Sequence, residues 1–233
     1  MCGRYSDSRI PKHLRESRFP RVNMDLNFSP RYNVAPTQKV KVELVENGRL
    51  LEKEMTWGFL PKWATAPIIN AQQETIGTKP TFKNSFVSHR CLIRADGFYE
   101  WKRNGGMKIP HRFVLKDGEP FYFAGIWDHF KKAARPEPAA DLFAAPAAKE
   151  PTEFDGFLIL TTTANDVTRP IHNRMPVIVK PEMCDAWIDP VSSKEALNEV
   201  LQHPRNDELT VCEVSPLVNN ARNELARCVE PVE

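Results

Sequence analysis

The residue with the most unusual chemical potential is a cysteine at position 2, in "MCGRYS". Removal of Met1 would leave Cys2 carrying a free α-amine and a thiol on one residue, a pairing available only at a chain terminus. Further along stand Asn33 in "YNVAPT", Asn70 in "IINAQQET", Glu100 in "ADGFYEWK" and His172 in "RPIHNRMPV". Taken singly, each has an ordinary explanation. A glutamate within "FYEW" can point to solvent by strand alternation. Pro170 and Pro176 place His172 in an extended loop, where a surface histidine is unremarkable. An asparagine after two isoleucines is often a turn or a strand end.

The elements that would have to position these groups are mostly strands. "VKVELVE" (40–46) alternates and meets Asn47-Gly48, whose residue types suit the positive φ angles of a type I′ turn, before "RLLEKEMTWGF". The segments 91–102, 111–116 and 120–127, separated by "RNGG" and "DG" turns, are expected to form consecutive antiparallel strands, with more strands at 156–163, 176–180 and 209–215. Short helices are expected near 8–19, at 81–89, at 181–188 and at 192–202, where Ser192 and Glu195 have capping-box spacing. The fold class is therefore α+β with mainly antiparallel sheets, in one domain spanning 1–233. Residues 133–148 hold eight Ala and three Pro and are expected to form, out to 153, a mobile insert with no role in the core.

Composition narrows the function classes. The 233 residues are 41% hydrophobic and 9% aromatic, enough for a sizeable core. No stretch approaches the roughly 18 apolar residues of a membrane span, and the start lacks a signal-peptide core, so a cytoplasmic protein is expected. Five scattered cysteines (Cys2, Cys91, Cys184, Cys212, Cys228) suggest neither a disulfide framework nor a zinc site, and no metal or cofactor is expected. The net charge of +2 does not by itself argue for nucleic acid, although residues 1–40 carry eight Lys/Arg against three acids.

Taken in order, "MCGRY", "YNVAPT", "WGFLPKW", "INA", "ADGFYEWK", "LTTTAN", "IHNRMPVI" and "VSPLVNN" resemble the SOS-response-associated peptidase family, the abasic-site processing proteins, over residues 2 to about 223. The resemblance implies a barrel-like core and capture of abasic sites in single-stranded DNA as a covalent crosslink through the N-terminal cysteine. An open abasic sugar is an aldehyde. The α-amine condenses with it to an imine, and the thiol then closes a five-membered thiazolidine. An α-amine, with a reference pKa of roughly 7.7–8.0, keeps a neutral fraction at pH 7 that a lysine near 10.4 does not.

The resemblance further assigns acid/base work to Glu100, sugar hydrogen bonding and proton transfer to His172, and orientation of the terminus to Asn70. It implies phosphate contacts from Arg4, Arg174 and Lys79, and base or pocket contacts from Asn33, Pro36, Trp63 and Trp101, with Trp57 and Trp101 equally readable as core. Two departures stand out: Gln72 where relatives carry arginine, which hydrogen-bonds a phosphate without neutralising it, and Arg94 where an apolar residue is common, a charge that could compensate. Implied partners are abasic single-stranded DNA and the replication machinery, with a monomeric, nucleoid-associated protein in a bacterium and lyase or crosslink-reversal activity. Two alternatives stand beside this reading: a thiol peptidase built on Cys2, His172 and Glu100, and a noncatalytic reader of single-stranded DNA.

Overall fold

The computed structural model describes residues 2–9, 16–22, 28–132, 152–202, 205 and 208–232. The strands in chain order are β1 (Tyr5–Asp7), β2 (Arg31–Val34), β3 (Lys39–Glu46), β4 (Arg49–Trp57), β5 (Asn70–Gln72), β6 (Arg90–Ala95), β7 (Gly97–Asn104), β8 (Met107–Leu115), β9 (Phe121–Lys132), β10 (Thr152–Thr163), β11 (Arg174–Pro176), β12 (Ile178–Val179) and β13 (Leu209–Glu213). The helices are α1 (Pro80–Ser88), α2 (Cys184–Ile188) and α3 (Lys194–Gln202), with short 3₁₀ turns between.

Five strands close on themselves in the order β10, β4, β3, β6, β9 and back to β10, a barrel without free edges. The second sheet, in the order β13, β8, β7, β1, β2, lies against it. Between them sit Cys2, Tyr5, Trp57, Phe98, Phe113, Phe123 and Phe157, all at most 1% exposed. Phe98 and Phe113 stack across β7 and β8 with centroids 4.8 Å apart. Each such ring contributes on the order of 2–3 kcal/mol by leaving water. The barrel's outer face is covered by α1, α2 and α3 through Phe86, Trp187, Leu197 and Val200. Among the described residues no helix is long and apolar enough to cross a membrane.

The expected β3–β4 hairpin forms, with Asn47 at φ 51° and Gly48 at φ 71°. The "RNGG" turn also closes a hairpin, β7–β8, on Gly105 and Gly106, both at positive φ. Other expectations need correction. The segment 91–102 is two strands, divided at Asp96: β6 joins the barrel and β7 the second sheet, so β8 and β9 are not paired and the expected meander does not exist. The break is held by charge. Buried Asp96 accepts hydrogen bonds from Ser6 and Ser8 and pairs with Arg112 at 3.1 Å. A side chain at Gly97 would strike the Arg112 guanidinium, its Cβ only 2.7 Å from Nε.

Pairing is not wholly antiparallel either, since β10 runs parallel to β4 and β5. The expected strand 176–180 splits at Val177, whose N–H donates to Leu160 while its carbonyl accepts from Ala124, as the chain switches partner from β10 to β9. The cap of α3 is Ser193, whose Oγ accepts from Ala196 N, while Ser192 instead donates to the Ala186 carbonyl. Of the expected helix at 8–19, residues 10–15 lie outside the described residues and 8, 9 and 16–19 are not helical; the Ala/Pro insert falls almost wholly outside the described residues, and Thr152 and Glu153 belong to β10.

Candidate active site

β1 pairs with β7 through Tyr5 opposite Phe98 and Ser6 opposite Gly97, which brings the start of the chain beside the strand that carries Glu100. Cys2 is fully buried, and its thiol donates to the Arg4 carbonyl at 3.7 Å. Burial, and then the Glu100 carboxylate, push the thiol well above its ordinary range, against weaker opposition from the Arg4 hydrogen bond and the amino-terminal charge. The sulfur is therefore held as a neutral thiol at pH 7.

Glu100 is 3% exposed and its pKa is pushed up to about 7 by burial, with the amino-terminal charge opposing the shift and hydrogen bonding to it. A carboxyl poised at neutrality can both give and take a proton. His172 is half-buried. Its Nδ1 lies 3.0 Å from both the carbonyl oxygen and the N–H of Arg174, so the Arg174 backbone fixes the ring and leaves Nε2 as its outward nitrogen. Burial holds its pKa below the usual imidazole value, the amino-terminal charge adds to that, and the Arg174 hydrogen bond opposes it. The turn before His172 is set by Asn165, whose Oδ1 accepts from Thr168 N at 2.9 Å.

Cys2, Glu100 and His172 come from distant parts of the sequence: the pairing of β1 with β7 brings the first two near each other, and a shared cavity joins Glu100 to His172. Asn70 begins β5 and donates from Nδ2 to the Ile159 carbonyl at 3.3 Å. Its Oδ1 is buried without a hydrogen-bond partner among the described residues. A buried acceptor left unpaired costs about 1–3 kcal/mol, which a bound donor would recover.

Glu100 and His172 open on a cavity of about 530 Å³, lined also by Trp101, Arg103, Lys108 and Asn219. Trp101 is fixed by its indole N–H donating to Asn219 Oδ1 at 2.6 Å, and Arg4 lies over its ring at 5.9 Å. The last three lining residues were not singled out from sequence. The run of Lys102, Arg103 and Lys108 around Gly105-Gly106 was the available signal, since it follows Glu100 and Trp101 directly on the same hairpin.

The remaining sequence candidates scatter. Arg4 donates from Nη1 to Asn33 Oδ1 and to the Val218 carbonyl, each at 2.6 Å. Asn33 is fully buried and its Nδ2 faces the carbonyls of Val218, Asn220 and Asn223, so its amide has no face toward a ligand. Arg174 is engaged fork to fork with Glu74 and also donates to the Thr161 carbonyl at 2.6 Å. Arg94 pairs with Asp7 at 2.9 Å and lies over the Phe28 ring, so its charge is used within the fold. Trp57 is core, its Nε1 donating to the Ile69 carbonyl at 3.0 Å. Gln72 and Lys79 are exposed, Pro36 is half-buried in a turn, and Trp63 is 68% exposed. All five cysteines are free thiols, and among the described residues no cluster of His, Cys, Asp and Glu could hold a metal ion.

Residues 1–221 match the family model of the SOS response associated peptidase, SRAP. The chain belongs to this family. It is 31% identical to the abasic site processing protein YoqW of Bacillus subtilis (strain 168), across 99% of both chains. Identity is 30% to the abasic site processing protein YedK of Escherichia coli (strain K12), across the whole of each. The abasic site processing protein HMCES of Pongo abelii is 28% identical over 98% of this chain and 71% of its own length. Among solved structures, a phage-related protein from Bordetella bronchiseptica superposes with a TM-score of 0.68 at 27% identity, covering 91% of this chain and 94% of the other. Cys2, Glu100 and His172 thus sit in an overall fold shared with that protein.

Proposed function

We propose that this protein processes abasic sites in DNA, capturing the lesion in a single strand as a thiazolidine on Cys2 once Met1 has been removed. The observation that carries the reading is that Glu100 and His172 line one cavity while β1, directly after Cys2, pairs with the strand that carries Glu100. The relatives' names supply the substrate.

Glu100, protonated in part near pH 7, gives a proton as the sugar ring opens and as water leaves the carbinolamine. The α-amine of Cys2 and the aldehyde carbon form the imine with loss of that water. The neutral thiol then adds across the C=N bond: sulfur bonds to carbon, and its proton passes, through Glu100, to nitrogen. His172, held at Nδ1 by the Arg174 backbone, hydrogen-bonds the liberated sugar hydroxyl through Nε2. The unpaired Oδ1 of Asn70 accepts from the condensing amine.

The test is direct. The protein is mixed with a single-stranded oligonucleotide bearing one abasic site and run on a denaturing gel, with intact mass reporting whether Met1 is present. A band of summed mass is expected, and Cys2→Ala should abolish it while DNA binding persists. Absence of the band from protein shown to lack Met1 would refute capture.

A further inference from the structure

Arg103 on β7 and Lys108 on β8 are cross-strand partners, both exposed, at the mouth of the cavity that Glu100 and His172 line. Like charges placed directly opposite each other destabilise a hairpin. Elsewhere in the sheets, lysines lie beside acids. Lys131 is registered with Glu153 and pairs with it at 2.7 Å, Lys39 lies 3.4 Å from Glu54, and Lys53 lies 2.7 Å from Asp155. Among the described residues neither Arg103 nor Lys108 has an ion pair or a side-chain hydrogen bond. Meanwhile two arginines that the sequence offered as phosphate anchors are committed inside the fold, Arg4 to Asn33 and Val218, and Arg174 to Glu74.

We propose that Arg103 and Lys108 form a clamp for one backbone phosphate of the DNA strand beside the lesion, and so set the register in which the abasic sugar enters the cavity. The inference rests on the abasic-DNA reading above and names a binding element for it. Arg103 lies three residues along β7 from Glu100, roughly 10 Å at strand rise, a span suited to a phosphate flanking a sugar held at Glu100. A planar guanidinium and a point-charge ammonium facing each other can hold the oxygens of one phosphate from two sides, which removes their mutual repulsion. The two-glycine turn joining them, Gly105 and Gly106 at φ 54° and 87°, keeps the tip tight and free of bulk.

The experiment uses full-length protein and an oligonucleotide carrying one tetrahydrofuran abasic analogue, which binds without reacting, with affinity followed by fluorescence anisotropy across salt concentrations. Arg103→Gln/Lys108→Gln should bind roughly tenfold more weakly, and its log–log salt slope should fall by about 0.7, the value for one phosphate on a single strand. A single neutral methylphosphonate moved along the strand should weaken wild type at one flanking position and leave the double variant unaffected there. The scan on wild type does not depend on how the variant folds.

Equal affinity and slope in both proteins, or a scan with no position-specific difference between them, overturns the clamp. Binding of the analogue without crosslinking of a true abasic strand overturns the chemistry above and leaves the clamp standing. Deoxyribose 5-phosphate is the control for source. If the double variant loses affinity for it but not for the oligonucleotide, the pair serves a free phosphate monoester and the backbone assignment fails.

Discussion

Arg4 and Asn33, 29 residues apart, are joined by a 2.6 Å hydrogen bond from Nη1 to Oδ1, and each also grips the Val218 carbonyl. The segment that presents Cys2 is thereby tied to the C-terminal strap. Glu224 completes the tie by accepting from the backbone N–H groups of Tyr32 and Asn33. Asn33→Ala would leave the carbonyls of Val218, Asn220 and Asn223 short of a donor and Arg4 short of an acceptor. The expected cost is about 2–3 kcal/mol, seen as a melting temperature lower by about 4–12 °C for a chain of this size. Capture should also slow at saturating DNA, because Cys2 loses its fixed approach. An unchanged melting temperature would show that the strap is not anchored through Asn33.

Glu100 makes the fold pay for its chemistry. Its folded pKa, about 7, lies above the ordinary value of 4.5, so the stabilising state is the protonated one. That contribution is fully present below about pH 4.5 and is lost as pH rises through about 7, at a cost on the order of 3 kcal/mol. Glu100→Gln removes the titration. The variant should melt close to wild type at pH 5 and clearly above it at pH 8, while capture falls by about a hundredfold or more, the scale of a lost acid/base group. Parallel melting curves at both pH values would mean that Glu100 ionises freely in the fold.

Much of this architecture was legible because it rests on local rules. Alternation and Asn-Gly chemistry marked the β3–β4 hairpin, and the glycine pair marked β7–β8. What could not be read was the division at Asp96, since "CLIRADGFYEWK" is continuously strand-like and the break depends on Arg112 and Ser6 arriving from elsewhere. The parallel pairing of β10 with β4 and β5 is likewise a long-range choice. In the site, sequence pointed to Glu100 and His172, which meet at the cavity. It could not tell a free arginine from a committed one, because Arg4 and Arg174 acquire their partners only in three dimensions. Arg103 and Lys108 were overlooked for the converse reason, that exposed charge beside a turn is ordinary until a cavity opens next to it.

Closure of the barrel needs a glycine on β9. Gly125 stands between Cys91 on β6 and Ile159 on β10, and a Cβ there would lie 2.3 Å from Ile93 Cδ1 and 3.0 Å from both Cys91 Sγ and the Leu158 carbonyl. Gly125→Ala should destabilise by about 2–3 kcal/mol in denaturant unfolding. The closest contact is a methyl, so Ile93→Val should relieve part of the clash, and the double variant should be less impaired than the sum of the singles. Additive losses would place the strain in the backbone instead.

Glu74 follows β5, and Arg174 follows His172 by two residues, so their two-pronged pair at 2.7 and 2.8 Å braces the strand of Asn70 against the loop of His172. The Arg174 hydrogen bond holds the Glu74 carboxyl below its ordinary pKa, against a smaller effect of burial. Stability from the pair is therefore present above about pH 4.5 and is lost as pH falls through the lower, folded value. Glu74 is 45% exposed on its side chain, which limits the pair to under about 1 kcal/mol at moderate salt. Function should be more sensitive than stability, because the Arg174 backbone holds His172 Nδ1. Glu74→Gln is expected to leave the melting temperature within a few degrees of wild type and to slow capture by on the order of threefold to tenfold. The rate loss should shrink as pH falls through the lowered pKa of Glu74, below which wild type is itself protonated there. A rate equal to wild type at neutral pH would show that His172 is positioned without the brace.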